Sequence, residues 1–183
     1  MVSSLTGSFR VKKCDLASFA SIREFCRQVN KEERRVDILV YIYIRAVSVT
    51  WGDQVNNAGL VTPRRLVTED GQELQMQTNH LGPFLLTNLL LDRLRASRRG
   101  ARVINVSSIG HRAVMSFPWD DITMAKPPYI GFQVYAVTKL ANIWFTAELG
   151  RRLQGSGVSV FSVHPGAVST DLGRHIGGED CGQ

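Results

Sequence analysis

A chain of 183 residues, 44% hydrophobic and 21% charged, has enough apolar material for a buried core and too much for a disordered or fibrous segment. Its formal net charge of +6 invites an anionic partner, yet the densest basic cluster (Arg93, Arg95, Arg98, Arg99, Arg102) follows a leucine-rich helical run without interleaved aromatic residues. It therefore reads as a solvated helix end rather than a nucleic-acid or lipid-headgroup site. Cys14, Cys26 and Cys181 are odd in number and show no CxxC spacing, which argues against a disulfide framework or zinc site and for a reducing compartment.

Met1 to Arg10 has no apolar core like that of a signal peptide, and the longest candidate membrane span, Ile38 to Trp51, is short and interrupted by Arg45. The chain is expected not to cross a membrane. Phe9 to Lys13 reads as a short strand, and Leu16, Phe19, Ile22, Phe25, Cys26 and Val29 recur at nearly helical intervals behind Ser18, a suitable N-cap. The β-branched run Val36 to Val40 reads as a buried strand. Helices are expected over Thr68 to Leu81 and Pro83 to Leu94, then a strand Arg102 to Val106, where Asn105-Val106-Ser107 is a chance glycosylation match. A long loop, a helix from about Val134 to Leu153 and a strand Val158 to Val163 follow. Strands alternating with helices imply a parallel sheet whose ligands gather at the strands' carboxyl ends, where the polar motifs fall.

Four residues separate Tyr135 from Lys139, so on a helix both project from one face toward a shared ligand. An ammonium beside a phenol favours the phenolate and brings its pKa toward the working range of an acid/base. Tyr-x-x-x-Lys alone is a weak signal, although Tyr135 is the only one of the four tyrosines to have it. Ser107-Ser108 strengthens it by ending the preceding strand, where a hydroxyl can hydrogen-bond a substrate oxygen. His80, His111, His164 and His175 lack metal-ligand spacing and read as surface or capping residues. Trp119, beside Phe117 and Pro118, either borders a substrate mouth or anchors its loop.

In order along the chain stand Asn56-Asn57-Ala58-Gly59, Asn79-His80-Leu81-Gly82, Val106-Ser107-Ser108, Tyr135-x-x-x-Lys139 and Pro165-Gly166. Together they resemble the short-chain dehydrogenase/reductase family. Thr68-Glu69-Asp70-Gly71, the run Asn79 to Thr87, and His164-Pro165-Gly166-Ala167-Val168-x-Thr170-Asp171-Leu172-Gly173 are similar to its retinol dehydrogenase branch. The resemblance implies a Rossmann-type three-layer αβα fold and hydride exchange between NAD(P)(H), NADP(H) favoured, and a lipophilic alcohol or aldehyde. It implies that Tyr135 moves the hydroxyl proton, Ser108 rather than Ser107 orients the substrate oxygen, Lys139 holds the ribose and tunes Tyr135, and Asn79 supports a proton-relay water from its backbone. Asp15 would meet the adenine, Asn57, Ala58 and Gly59 line the cofactor cleft, and Pro165, Gly166, Val168 and Thr170 approach the nicotinamide. It also implies a homodimer or pairing with a related enzyme, and the endoplasmic reticulum surface or else the cytoplasm as location; no nucleic-acid partner and no metal are expected. Singly, Asn56, Asn57 and Gly59 also suit a turn, Asn79 and Thr170 helix caps, and Asp15 the helix that follows it.

Three departures from the family pattern stand out. The glycine-rich TGxxxGxG turn that seats a dinucleotide's pyrophosphate is absent, so the domain 1–183 is expected to lack the first two strands as well as the C-terminal strand. Residues 41–55 read as a β-prone insert that prolongs the strand Val36 to Val40 and displaces the cofactor-facing turn. The strand Val36 to Val40 would be a sheet edge, and Phe9 to Lys13 would have no neighbour. A catalytically inactive variant that acts through protein contact is the alternative reading.

Overall fold

The computed structural model describes residues 12–34, 38–41, 53–97 and 100–166. Four strands form one parallel sheet in chain order: β1 (Ile38–Tyr41), β2 (Asp53–Asn56), β3 (Ala101–Val106) and β4 (Val158–Val163). Their register sets Asn56 opposite Asn105 and Val106 opposite Val163, which aligns the carboxyl ends of β2, β3 and β4. The fold is of the expected α/β, Rossmann type. The segment that feeds the Asn57 turn differs from expectation, because the sheet takes Asp53–Asn56 as that strand and sets the earlier apolar run beside it as β1. Part of the supposed insert thus does the work of the strand, which keeps the turn in place rather than displacing it. The expected strand Phe9 to Lys13 lies largely outside the described residues.

Helix α1 (Phe19–Glu32) starts at Ser18, whose side chain accepts from the Ser21 amide at 3.2 Å. Its apolar stripe of Ile22, Phe25, Cys26 and Val29 packs with Leu16 against Leu86 and Leu90. Each such side chain stabilises the fold by about 1.5–3 kcal/mol. Burial and the nearby Cys14 push the Cys26 thiol up to about 12, so it behaves as a core hydrophobe.

The helix expected from Thr68 begins instead at α2 (Leu74–Met76). Residues 68–73 form a turn closed by a Val67–Glu73 bridge, with Gly71 at φ 75°, a left-handed conformation that a helix cannot contain. From α2 the chain runs through a π-helical turn, Gln77–Leu81, into α3 (Gly82–Arg95). The cause of the wider turn is Pro83. It has no N–H for the Asn79 carbonyl four residues back, and its ring would strike that carbonyl in a regular α-helix. The Gly82 amide accordingly bonds Gln77 O, five residues back.

Helix α4 (Gly131–Arg152) starts a few residues earlier than the sequence pattern suggests. Its C-terminal half, with Leu149 and Leu153, meets Leu94 of α3 over Ala101, Val103 and Val158. Beside this apolar cluster runs a buried polar layer. Gln54 Nε2 donates to Thr87 Oγ1 at 2.7 Å, Asn56 Nδ2 to Asn105 Oδ1 at 2.6 Å, and Asn105 Nδ2 to Thr146 Oγ1 at 2.9 Å. Both layers use the same face of the sheet. Among the described residues the helices gather on that face, whereas Arg102, Phe161 and Val163 of the opposite face are exposed or partly so. No described helix is long and apolar enough to cross a membrane.

Candidate active site

The three aligned strand ends carry Asn57 to Gly59, Ser107 and Ser108, and His164 to Gly166. The Ser107 amide bonds Val163 O at 2.8 Å, which holds the second and third of these segments together. Pro165 and Gly166 follow, Gly166 with φ 86°. Val168 and Thr170 lie outside the described residues.

The two serines take different tasks. Ser107 is buried and donates its hydroxyl to the Lys139 carbonyl at 2.8 Å, fixing the register of α4 on β3. Ser108 caps a short 3-10 helix, Ile109–Ala113, by accepting from the Gly110 amide at 3.1 Å, which leaves its own proton to be donated. The Ser108 carbonyl also accepts from the amide of His111, 3.1 Å away, and stands 2.6 Å from that residue's Nδ1. His111 therefore braces this turn, a role its spacing did not announce.

Gly110 lies between Ser108 and Tyr135: a Cβ added there would be 3.5 Å from Ser108 Oγ and 3.4 Å from Tyr135 Cε1. Tyr135 is buried, and Lys139 Nζ sits 5.4 Å from its ring centroid. Lys139 is only 4% exposed, and burial pushes it down to about 8. Its Nζ donates to Val106 O at 3.0 Å. Gly59 allows this approach, since a Cβ there would stand 3.3 Å from Lys139 Nζ and 3.5 Å from Asn79 Oδ1.

Asn79 joins three segments. Its Oδ1 accepts from the Leu60 amide at 2.8 Å, and its Nδ2 donates to Leu60 O at 2.9 Å and Thr138 Oγ1 at 3.3 Å. Its carbonyl, released by Pro83, accepts from Asn142 Nδ2 at 3.1 Å. His80 Nδ1 lies 2.9 Å from Asn142 Oδ1, with the Phe84 and Phe145 rings close by. Burial lowers its pKa, so this histidine is a packed partner of α4 rather than a surface residue. Thr138 and Asn142 are the site residues that the sequence motifs overlooked; their positions three and seven residues after Tyr135 on its helix were the available signal.

Other residues fall elsewhere. Asp15 accepts from the Ala17 amide through Oδ1 at 2.9 Å, serving the entry to α1. It lines an open depression of about 470 Å³ with Ser18, Thr68 and Glu69, and the lining includes none of Ser108, Tyr135 and Lys139. Trp119 stacks on Trp144 at 5.4 Å and 3°. Trp144 lies nine residues beyond Tyr135, on the opposite face of α4, so Trp119 anchors its loop there. Among the described residues no group of histidines, cysteines and carboxylates could hold a metal ion.

A parallel Rossmann-type sheet with serine, tyrosine and lysine converging at its carboxyl end defines the class of protein. The chain belongs to the short chain dehydrogenase family, whose model matches residues 2–119 and 122–180. It is 45% identical over 174 residues to retinol dehydrogenase 13 of Homo sapiens, covering 95% of this chain and 47% of that protein. An uncharacterized Mycobacterium paratuberculosis protein of known crystal structure is 32% identical, with a TM-score of 0.67 over 90% of this chain and 53% of that one. The Pseudomonas aeruginosa RhlG/NADP active-site complex is 26% identical, with a TM-score of 0.60 over 89% of this chain and 55% of that one. The chain spans about half the length of the curated relatives it matches.

Proposed function

We propose that this chain carries the catalytic half of an NAD(P)(H)-dependent oxidoreductase, NADP(H) favoured, that interconverts an alcohol and a carbonyl on a retinoid or another lipophilic substrate. The observation that carries the reading is the convergence of Ser108, Tyr135 and a buried Lys139 around Gly110 and Gly59. The retinol dehydrogenase relatives and the RhlG/NADP complex support its substrate and cofactor classes.

The residues suit the ribose side of such a cofactor, because the bare Gly59 leaves room beside Lys139 Nζ that a side chain would fill. When bound, the nicotinamide supplies the hydride or accepts it. Ser108, whose oxygen already accepts from Gly110, donates its proton to the substrate oxygen. Tyr135 gives a proton to that oxygen during reduction and takes it back during oxidation. Lys139, held down to about 8 by burial, keeps most of its charge at neutral pH beside the Tyr135 ring. The Asn79 carbonyl, which takes one bond from Asn142 Nδ2, has a second lone pair that a relay water would use.

The test is a titration of the purified chain with NADPH and NADH, followed by fluorescence, together with retinal reduction. Binding, with turnover lost in Tyr135→Phe, is the expected result; no fluorescence change and no Tyr135-dependent turnover would reject catalysis by this chain. A second reading has a specific observation behind it. In the sheet order 3-2-1-4-5-6, the neighbour of the strand feeding the Asn57 turn is the one followed by the glycine-rich turn. Here that neighbour is β1, and Ile42 to Gly52 after it holds one glycine, Gly52, and no TGxxxGxG pattern. The residues do not suit the pyrophosphate at that point, which favours a non-catalytic chain that pairs with a related enzyme. Co-expression with a full-length relative tests this, and failure to co-purify would count against it.

A further inference from the structure

Glu73 and Tyr129 stand six residues ahead of Asn79 and Tyr135 respectively, and they meet in a second buried polar cluster. Glu73 is fully buried, accepting through Oε2 from the Met76 amide at 2.7 Å and through Oε1 from the Tyr129 hydroxyl at 2.9 Å. Gln75, also fully buried, donates Nε2 to Tyr129 Oη at 2.7 Å, to Gly131 O at 3.1 Å and to Thr62 O at 3.4 Å. Thr62 Oγ1 lies 3.2 Å from Tyr129 Oη. The segments they join pack tightly, for a Cβ at Gly131 would fall 1.9 Å from Thr62 O.

Thr62 is three residues beyond Gly59, so this cluster holds one end of the turn that covers Lys139. Asn79 holds the same turn at Leu60. A buried carboxyl group is costly wherever packing alone is required, because an apolar side chain serves that purpose with no polar atoms to satisfy. Burial also raises the Tyr129 pKa and keeps its phenol a donor at neutral pH.

We propose that Glu73, Gln75 and Tyr129 form a buried joint that holds the Gly59 turn down on Lys139, positioning that lysine without touching the substrate. The joint rests on the reading of Lys139 as the group that tunes Tyr135. Loosening it lifts Gly59, admits water to Nζ and returns the lysine toward its ordinary pKa.

The experiment follows acylation of Lys139 by a small amine-selective anhydride as a function of pH, read by mass spectrometry, in the purified chain. Tyr129→Phe, Glu73→Gln and the double variant are compared with the wild type. Each single change is expected to raise the labelling midpoint by about one pH unit, and the double variant is expected to go no further than the larger single one. An unmoved midpoint in folded Tyr129→Phe overturns the proposal. So does loss of far-ultraviolet circular dichroism in that variant, since removal of one hydroxyl would then affect the fold and not the lysine. If Glu73→Gln fails to fold, Tyr129→Phe decides alone. Absence of cofactor-dependent turnover in the wild type would sink the functional reading but leave the midpoint comparison standing; an unmoved midpoint in an active protein sinks only the joint.

Discussion

Replacing Lys139 with methionine should make the protein more stable at neutral pH while removing its proton chemistry. The folded protein holds this lysine at about 8, whereas its ordinary value is 10.5. Below pH 8 both folded and unfolded chains are protonated, and the folded state bears the full cost of burying the charge. Between 8 and 10.5 the unfolded chain binds a proton that the folded one has released, so stability rises with pH. Above 10.5 the cost is gone. At about 1.4 kcal/mol per pH unit, the interval from 10.5 to about 8 amounts to roughly 3 kcal/mol. Lys139→Met escapes that cost but loses the bond from Nζ to Val106 O, worth about 1 kcal/mol. The net gain is about 2 kcal/mol at pH 7, a rise in Tm of about 4–8 °C for a chain of this size. Urea denaturation of both proteins at pH 7 and pH 10, followed by tryptophan fluorescence, measures it. The advantage should shrink across that interval; a less stable variant at pH 7, or a difference independent of pH, would refute the reasoning.

Ser107 and Ser108 should separate cleanly. Ser107→Ala removes the bond to the Lys139 carbonyl and should cost about 1 kcal/mol of stability with little change in kcat, whereas Ser108→Ala should lower kcat about a hundredfold in a retinal reduction assay. Gly131→Ala drives a methyl group into Thr62 O and should cost about 2 kcal/mol or more in a thermal melt, with an unchanged Tm counting against the packing described. Gln54→Leu removes a fully buried side chain whose Oε1 has no hydrogen-bond partner among the described residues, but it also removes the Nε2 that donates to Asn56 Oδ1 at 3.1 Å and to Thr87 Oγ1 at 2.7 Å. It should cost about 1–3 kcal/mol in urea denaturation, because the buried Asn56 Oδ1 loses its donor, and an unchanged or higher stability would count against the polar layer described.

Much of the candidate site was legible because its residues stand at local spacings. Tyr135 and Lys139 share a helix face at four residues' separation, Ser108 follows a strand whose end is marked by the switch from β-branched to small polar residues, and Ser18 announces α1. Helical periodicity likewise located the α1 stripe that packs on α3. The unexpected start of α2 was local too, since Gly71 with its positive φ excludes a helix through residues 68–73.

Other features depend on partners distant in the chain. Nothing in Asp53-Gln54-Val55-Asn56 marks it as the strand beside β3; parallel pairing requires another strand at its side, and only the sheet decides which segment takes that place. The same holds for Glu73 and Tyr129, separated by 56 positions, and for Gly59 against Lys139. By itself the sequence determined the helix faces, the alternation of strands and helices from Pro83 onward, and the residue types able to move a proton. The tertiary structure alone decided which strand feeds the Asn57 turn and how deeply Lys139 is buried beneath it, because strand pairing and desolvation are properties of groups brought together from remote parts of the chain.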